Sequence, residues 1–292
     1  MVSRLRGRAL ADAAILLAWA ATRDSTDQAQ EALAIARQLD DPALLTRALM
    51  ACGGVAVYYP ELARPYFAEA LELARTTGDR WRLSQILGWQ ACAAAWVGGD
   101  PVAAGWQVEG RDVADAIGDR FTSRQCRCWG LAWRNLMQGD LAAAVAQSRE
   151  IVAEAEADGD TFGKLLALSA QVHALAYQGN TSTARAAAES AIEAASGLGD
   201  VTVALAYCML GVAALAAGDV GAANDANHAA CQGMTPDLGI AKVVLWRRAE
   251  TALATGELSV AEHWSGQAVS SSNGWHRAMS LATRARVKGR TG

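Results

Sequence analysis

Tyr207-Cys208-Met209-Leu210-Gly211-Val212-Ala213-Ala214-Leu215-Ala216-Ala217 runs without a break into Gly218-Asp219, and Ala223 stands five residues beyond that glycine. The stretch before Gly218 is small and apolar and contains no proline, so it predicts a helix. Glycine ends such a helix because it accepts the left-handed conformation at the C-terminus. The following Asp can accept a hydrogen bond from the free N–H groups of a second helix. Ala223 then falls in the first turn of that second helix, where it crosses the first. A small side chain there lets the two helices approach closely.

The same punctuation recurs in both directions. Gly99-Asp100 with Ala104, Gly139-Asp140 with Ala144, Gly179-Asn180 with Ala184, and Gly256-Glu257 with Ala261 complete a series spaced by 40, 40, 39 and 38 residues. A second series interleaves with it: Gly78-Asp79, Gly118-Asp119, Gly159-Asp160 and Gly199-Asp200. Two interleaved series mean two helices per repeat. Towards the N-terminus, Glu31-Ala32-Leu33-Ala34-Ile35-Ala36-Arg37 matches Glu69-Ala70-Leu71-Glu72-Leu73-Ala74-Arg75 at an offset of 38. Tyr58-Tyr59-Pro60 replaces one Gly-Asp turn, and the proline of Asp41-Pro42 and of Asp100-Pro101 falls at a first helical position, where its missing N–H costs little.

The expected fold is therefore all-α: a right-handed superhelical solenoid of antiparallel helix pairs with a repeat of about 40 residues. Residues 1–292 read as one such domain of about seven pairs. The last pair looks incomplete, with 275 to 288 as a first helix lacking its second. An unpaired helix there would expose an apolar face, so a homo-oligomer through the C-terminal helix is an expectation.

Composition agrees. Of 292 residues, 52% are hydrophobic, 19% are charged and only 5 are proline, which describes a folded chain rather than a disordered one. The net charge of -4 argues against direct nucleic-acid contact, which usually needs a basic stripe. The basic ends (Arg4, Arg6, Arg8; Arg284, Arg286, Lys288, Arg290) read as solvated faces. Arg4 to Arg8 before the apolar run Ala13 to Ala21 has the order of a signal peptide. Asp12 interrupts it, however, and Leu10, Ala13, Ala14, Leu17 and Ala21 keep helical spacing. No run approaches the ~18 residues of a membrane span. The six cysteines show no CxxC or Cys/His spacing and read as small apolar residues in a reducing compartment, so the expectation is cytoplasmic.

With these features in hand, the chain resembles tetratricopeptide (TPR) repeats. Tyr207-x-x-Leu210-Gly211-x-x-Ala214, with Gly218-Asp219 and Ala223 after it, follows the W-x2-L-G-x2-Y…A order of that repeat. The period is near 40 rather than about 34. It also resembles the long TPR-like sensor arm of LuxR-family (MalT-type) actinobacterial transcriptional regulators. The carriers are the near-40 period, the alanine-rich helices and the EALxxAR…GD endings at Glu31 and Glu69. That resemblance implies a fold and a sensing role. It transfers neither ATP hydrolysis nor DNA binding, because no GxxxxGK[ST] and no basic recognition helix occurs in these residues.

Nothing here points to catalysis. The four histidines (His173, His228, His263, His276) lack metal spacing, no Ser lies in a nucleophile elbow, and the Gly-x-Gly pairs belong to helix-ending turns. No cofactor is expected and the chain is read as a non-enzyme. The aromatic pattern says more, with ten tryptophans against three phenylalanines. Ten residues before the turn glycines stand Trp89, Trp129 and Trp246, and six before stand Trp133, His173 and Glu250. Trp96 and Tyr177 lie close by. In TPR superhelices the first helix of each pair lines the concave face, so the resemblance places these eight residues in a binding groove. Arg127, Arg134, Lys242, Arg247 and Arg248 supply charge nearby. Such a surface suits flat apolar ligands with polar edges, or peptide side chains. A helical aromatic stripe also fills inter-helix core, and at this level both readings stand. The expected function is a non-catalytic sensor or interaction arm that binds a small effector, a protein or a peptide. The alternatives are a free-standing interaction scaffold or a remnant of a larger regulator.

Overall fold

The computed structural model describes residues 3–19, 22–97, 101–232, 234, 241–272 and 274–291, without the side chains of 96, 97, 101–103, 242, 275 and 291. Among them there is helix and no strand. The chain forms two compact units, one of residues 1–130 and the other of 131–236 and 241–292.

In the first unit, α1 (Arg4–Leu16) pairs with α2 (Arg23–Leu39), α3 (Pro42–Val55) with α4 (Pro60–Thr77), and α5 (Arg80–Val97) with α6 (Pro101–Ile117); α7 (Arg120–Arg127) follows. The first helices stack in a row, α1 on α3, α3 on α5 and α5 on α7. In the second unit, α8 (Arg134–Gln138) pairs with α9 (Leu141–Asp158), α10 (Thr161–Tyr177) with α11 (Thr181–Ala195), α12 (Asp200–Ala216) with α13 (Val220–Gln232), and α14 (Ala241–Thr255) with α15 (Leu258–Ser271). The final helix, α16 (Gly274–Thr291), packs on α14 and α15. Here too the first helices form a row, α10 on α12, α12 on α14 and α14 on α16. A π-turn, Cys128–Trp133, lies where the first unit ends.

The turn chemistry accounts for these bounds. Gly78, Gly118, Gly139, Gly159, Gly179, Gly218 and Gly256 all have φ between 68° and 83°. After each of them the next residue's N–H reaches back five residues to a carbonyl, as from Asp160 to Ala155 at 2.8 Å. This is the Schellman closure. The Asp then caps the next helix: Asp160 accepts from the Gly163 N–H at 2.8 Å, and Asp79, Asp119, Asp140 and Asp219 do likewise at 3.0 Å. Asp41 caps before Pro42 as expected, accepting from Leu44 N–H at 3.0 Å. Gly99 and Asp100 lie outside the described residues, while α6 begins at Pro101, the first helical position expected for it.

Two places differ from the sequence reading. At Gly199-Asp200 the glycine itself is the N-cap, at φ 97° and ψ 166°, and Asp200 is already helical. The turn after Ala195 is longer than its siblings, so the cap falls one residue early. The N-terminal helix stops at Leu16, with a turn over 17–19, although the apolar run continues. Tyr58, fully buried, donates its hydroxyl to the Trp19 carbonyl at 2.8 Å and holds that turn inward.

The small-residue rule is met at four of the five crossings, Ala104 being only half-buried. Ala144, Ala184, Ala223 and Ala261 are all fully buried. In the second unit Ala144 and Ala184 share one core with Leu136, Leu165, Val172, Leu175, Met209 and Val212, and Ala261 belongs to a smaller cluster with Leu253 and Val287. No helix among the described residues is long and apolar enough to cross a membrane.

Candidate functional site

The tryptophans set at equivalent positions in the sequence fall into two groups, one in each unit. In the first unit, Trp89 and Trp129 are 8% and 5% exposed. Trp19 from the turn after α1 packs on both, with ring centroids 5.0 Å from Trp89 and 5.8 Å from Trp129, the second pair nearly parallel at 17°. The chain thus covers these two indoles with one of its own. Sequence reasoning missed Trp19, because it placed 13–21 in a continuing helix whose far end gave no sign of turning inward. The Trp96 side chain lies outside the described residues.

In the second unit the aromatic residues converge with charge. Helix α10 carries both His173 and Tyr177, four residues apart and therefore on one face. Trp133, at the end of the π-turn, brings its ring to 5.4 Å from the His173 ring, and Tyr177 meets the same imidazole edge-on at 6.3 Å. Trp133 is half-buried, while Tyr177 is 45% exposed. From α14 come Trp246, Arg247 and Glu250. Trp246 is buried to 1% and belongs to the interior: its indole N–H donates to Thr283 at 3.0 Å and its ring meets His276 edge-on. The guanidinium of Arg247 sits 3.8 Å from the centre of the Trp246 ring, a cation–π contact in a desolvated place.

The electrostatics of this cluster are ordered by Arg247, which is 5% exposed. Burial alone would weaken its charge. The Tyr177 hydroxyl and the Glu250 carboxylate more than offset this and raise its pKa above the ordinary value. Its Nη1 donates to Glu250 at 2.9 Å, and Arg286 approaches the same carboxylate at 3.7 Å. His173 responds in the opposite sense. Burial first, and the Arg247 charge second, push its pKa down to about 3. The imidazole is therefore neutral, and since a carbonyl can only accept, Nδ1–H donates to Ser169 O at 2.7 Å. That leaves Nε2 as the lone-pair nitrogen.

The sequence reading had named Arg247 only as a nearby charge; the structure makes it central. Arg248 instead covers Trp264 at 3.6 Å, and the Lys242 side chain lies outside the described residues. Among the described residues no group of three His, Cys, Asp or Glu is placed to hold a metal ion. Four of the buried thiols, Cys52, Cys126, Cys128 and Cys208, are pushed up to about 12, chiefly by desolvation. They are inert apolar side chains at neutral pH. A shallow depression of about 770 Å³ beside Arg80, Ala104, Val108 and Glu109 lies in the first unit. Among the described residues that line it none is aromatic.

Among solved structures, the chain is similar to a Rap protein complexed with Competence and Sporulation Factor, at a TM-score of 0.64 and 14% identity, over 91% of this chain and 70% of that one. The fold is an all-α, TPR-like helical-repeat solenoid. In sequence, this TPR-like chain is similar to proteins named "Putative HTH-type transcriptional regulator" in Mycobacterium bovis and in Mycobacterium tuberculosis, 46% identical over 291 residues. The match takes in 97% of this chain but 32% of the relatives, so the chain spans about a third of their length. No family model matches it.

Proposed function

We propose that this chain is a non-catalytic sensing arm of a LuxR-type transcriptional regulator, acting in the cytoplasm. It binds a small effector, or a protein or peptide partner, at the aromatic and charged cluster of the second unit. The observation that supports this reading is the convergence of Trp133, His173 and Tyr177 on the buried Arg247–Glu250 pair. It joins half-open aromatic faces to a fixed charge, the composition of a ligand site rather than of a plain helix seam. The kinship with transcriptional regulators along nearly the whole chain supports a regulatory role. The TPR-like neighbour, solved in complex with a factor, supports binding as the activity. Trp89 and Trp129, already covered by Trp19, carry less of the proposal than Trp133 and Tyr177. Trp246 holds the site from beneath.

A bound effector would act by favouring one of two arrangements of the arm. The test is a thermal-shift screen of the full chain against aromatic acids, aromatic amides, sugars and short peptides, with hits repeated on Trp133→Ala and Tyr177→Ala. Hits that weaken about tenfold or more in both variants support the site, that being the loss of roughly 1.4 kcal/mol of contact. Hits indifferent to both variants, or no hit in any class, would overturn it. A second reading, a free-standing interaction scaffold, is favoured only by the neighbour's complex with a factor. Capture of a protein partner that no small molecule displaces would decide for it.

A further inference from the structure

We infer that Arg247 anchors a carboxylate of the ligand, a single negative charge gripped through the Nε–Nη2 edge of the guanidinium. This rests on the site proposed above and names its ligand class: a flat aromatic carboxylic acid, or a peptide ending in a free carboxylate beside an aromatic side chain.

The argument starts from hydrogen bonds. Nη1 of Arg247 is taken by Glu250 at 2.9 Å. Nε and Nη2 are buried and make no hydrogen bond of good geometry, although the Tyr177 hydroxyl lies near enough to help hold the charge. These two atoms form the side of the guanidinium whose parallel N–H bonds match the two oxygens of a carboxylate. A buried donor without an acceptor is costly, and more so on a charged group. The side chain cannot relieve that cost by losing its proton, because Tyr177 and Glu250 hold it charged. Nor can it easily swing away, with its carbon centre 3.8 Å from the Trp246 ring centre.

Charge then selects among anions. Among the described residues of this ion-pair cluster, Arg247 and Arg286 bring two positive charges and Glu250 one negative. His173 adds none, being neutral. One net positive charge remains, which a monoanion neutralises and a phosphate dianion would overshoot. The neighbours select the rest of the ligand. Trp133 and Tyr177 are the partly open aromatic faces of the cluster. Tyr177 is both 45% exposed and within electrostatic reach of the guanidinium, so the buried charge stands beside a side chain that solvent reaches.

The test uses the full chain in calorimetric titrations with naphthalene-2-carboxylate, its primary amide, and a pair of dipeptides ending in phenylalanine with free or amidated C-termini. At least one free acid should bind about tenfold tighter than its own amide, the scale of one charge-assisted bond. Whichever pair discriminates identifies the source of the carboxylate. Arg247→Met, checked for folding by far-ultraviolet circular dichroism, should erase the discrimination. Arg247→Lys, which keeps the charge but not the fork, should lose most of it. Trp133→Ala should weaken acid and amide alike. Equal binding of acid and amide, or a preference that survives both Arg247 variants, overturns the anchor but leaves the aromatic site, since the amides still bind. Inorganic phosphate or chloride competing as well as the acids would mark an adventitious anion only and overturn it too. Failure of every probe to bind overturns anchor and site together.

Discussion

Asp160 and Asn180 occupy equivalent places after a turn glycine, yet only the aspartate caps its helix. Asn180 instead donates its amide to Gln178 at 2.9 Å, and Glu257, one methylene longer, also leaves its helix without a side-chain cap. Asp160→Ala should therefore cost about 1 kcal/mol in urea unfolding, and Asn180→Ala much less. Asp40 is the one non-glycine with positive φ among the described residues, at 51°, so Asp40→Gly should stabilise by up to about 1 kcal/mol. His173 gives a pH signature. Its folded pKa of about 3 lies below the ordinary 6.5, so the unfolded chain takes the proton first. The stability that depends on neutral His173 is whole above pH 6.5 and is lost as pH falls from there towards 3, an effect of a few kcal/mol at most. Urea titrations at pH 7.5 and 4.5 should show the wild type losing more stability with acid than His173→Gln. Parallel losses would mean that the histidine is solvated and free to charge.

At the scale of helices, the EALxxAR motif acquires a reason that spacing alone did not show. Arg37 of one second helix reaches Glu69 of the next at 3.4 Å, and Arg75 reaches Glu109 at 2.8 Å. The motif is a ladder between successive repeats. Its rungs are half-exposed, so each contributes well under 1 kcal/mol and serves register more than stability. Close approach is set by small residues instead. A Cβ added at Gly53 would lie 2.4 to 2.8 Å from ring atoms of Phe67, itself fully buried. Gly53→Ala should cost about 1–3 kcal/mol by overpacking, read as a lower urea midpoint with an unchanged slope. The cysteines share these packed seams: five are buried and Cys231 is intermediate. A thiol reagent should titrate Cys231 quickly and the other five only on unfolding. Two or more fast thiols in the native protein would show that the seams open.

At the scale of the molecule, the balance of charge bears on what the chain touches. With a net charge of -4, the chain alone should not retard duplex DNA at physiological salt in a gel-shift assay, since non-specific binding rests on phosphate neutralisation. Retardation that weakens steeply with salt would reverse that expectation. The glycine–acid punctuation, the alanine at each crossing and the scarcity of proline were enough to specify helices, their ends and their pairing. These are properties of a residue and its near neighbours in the chain: a left-handed glycine, a carboxylate three residues from the N–H it accepts. They could be read along the chain without knowing where it goes. Equal spacing also suggested that Trp89, Trp129 and Trp246 would serve alike, and in this the sequence reached its limit. Whether an indole faces solvent depends on what arrives from far along the chain: Trp19 onto Trp89 and Trp129, Thr283 onto Trp246, Arg247 beside His173. Burial, a hydrogen bond left without its acceptor and the pKa of an imidazole are set by packing in three dimensions. Only the tertiary structure could therefore pick, from a periodic stripe of aromatic residues, the cluster that holds a charge.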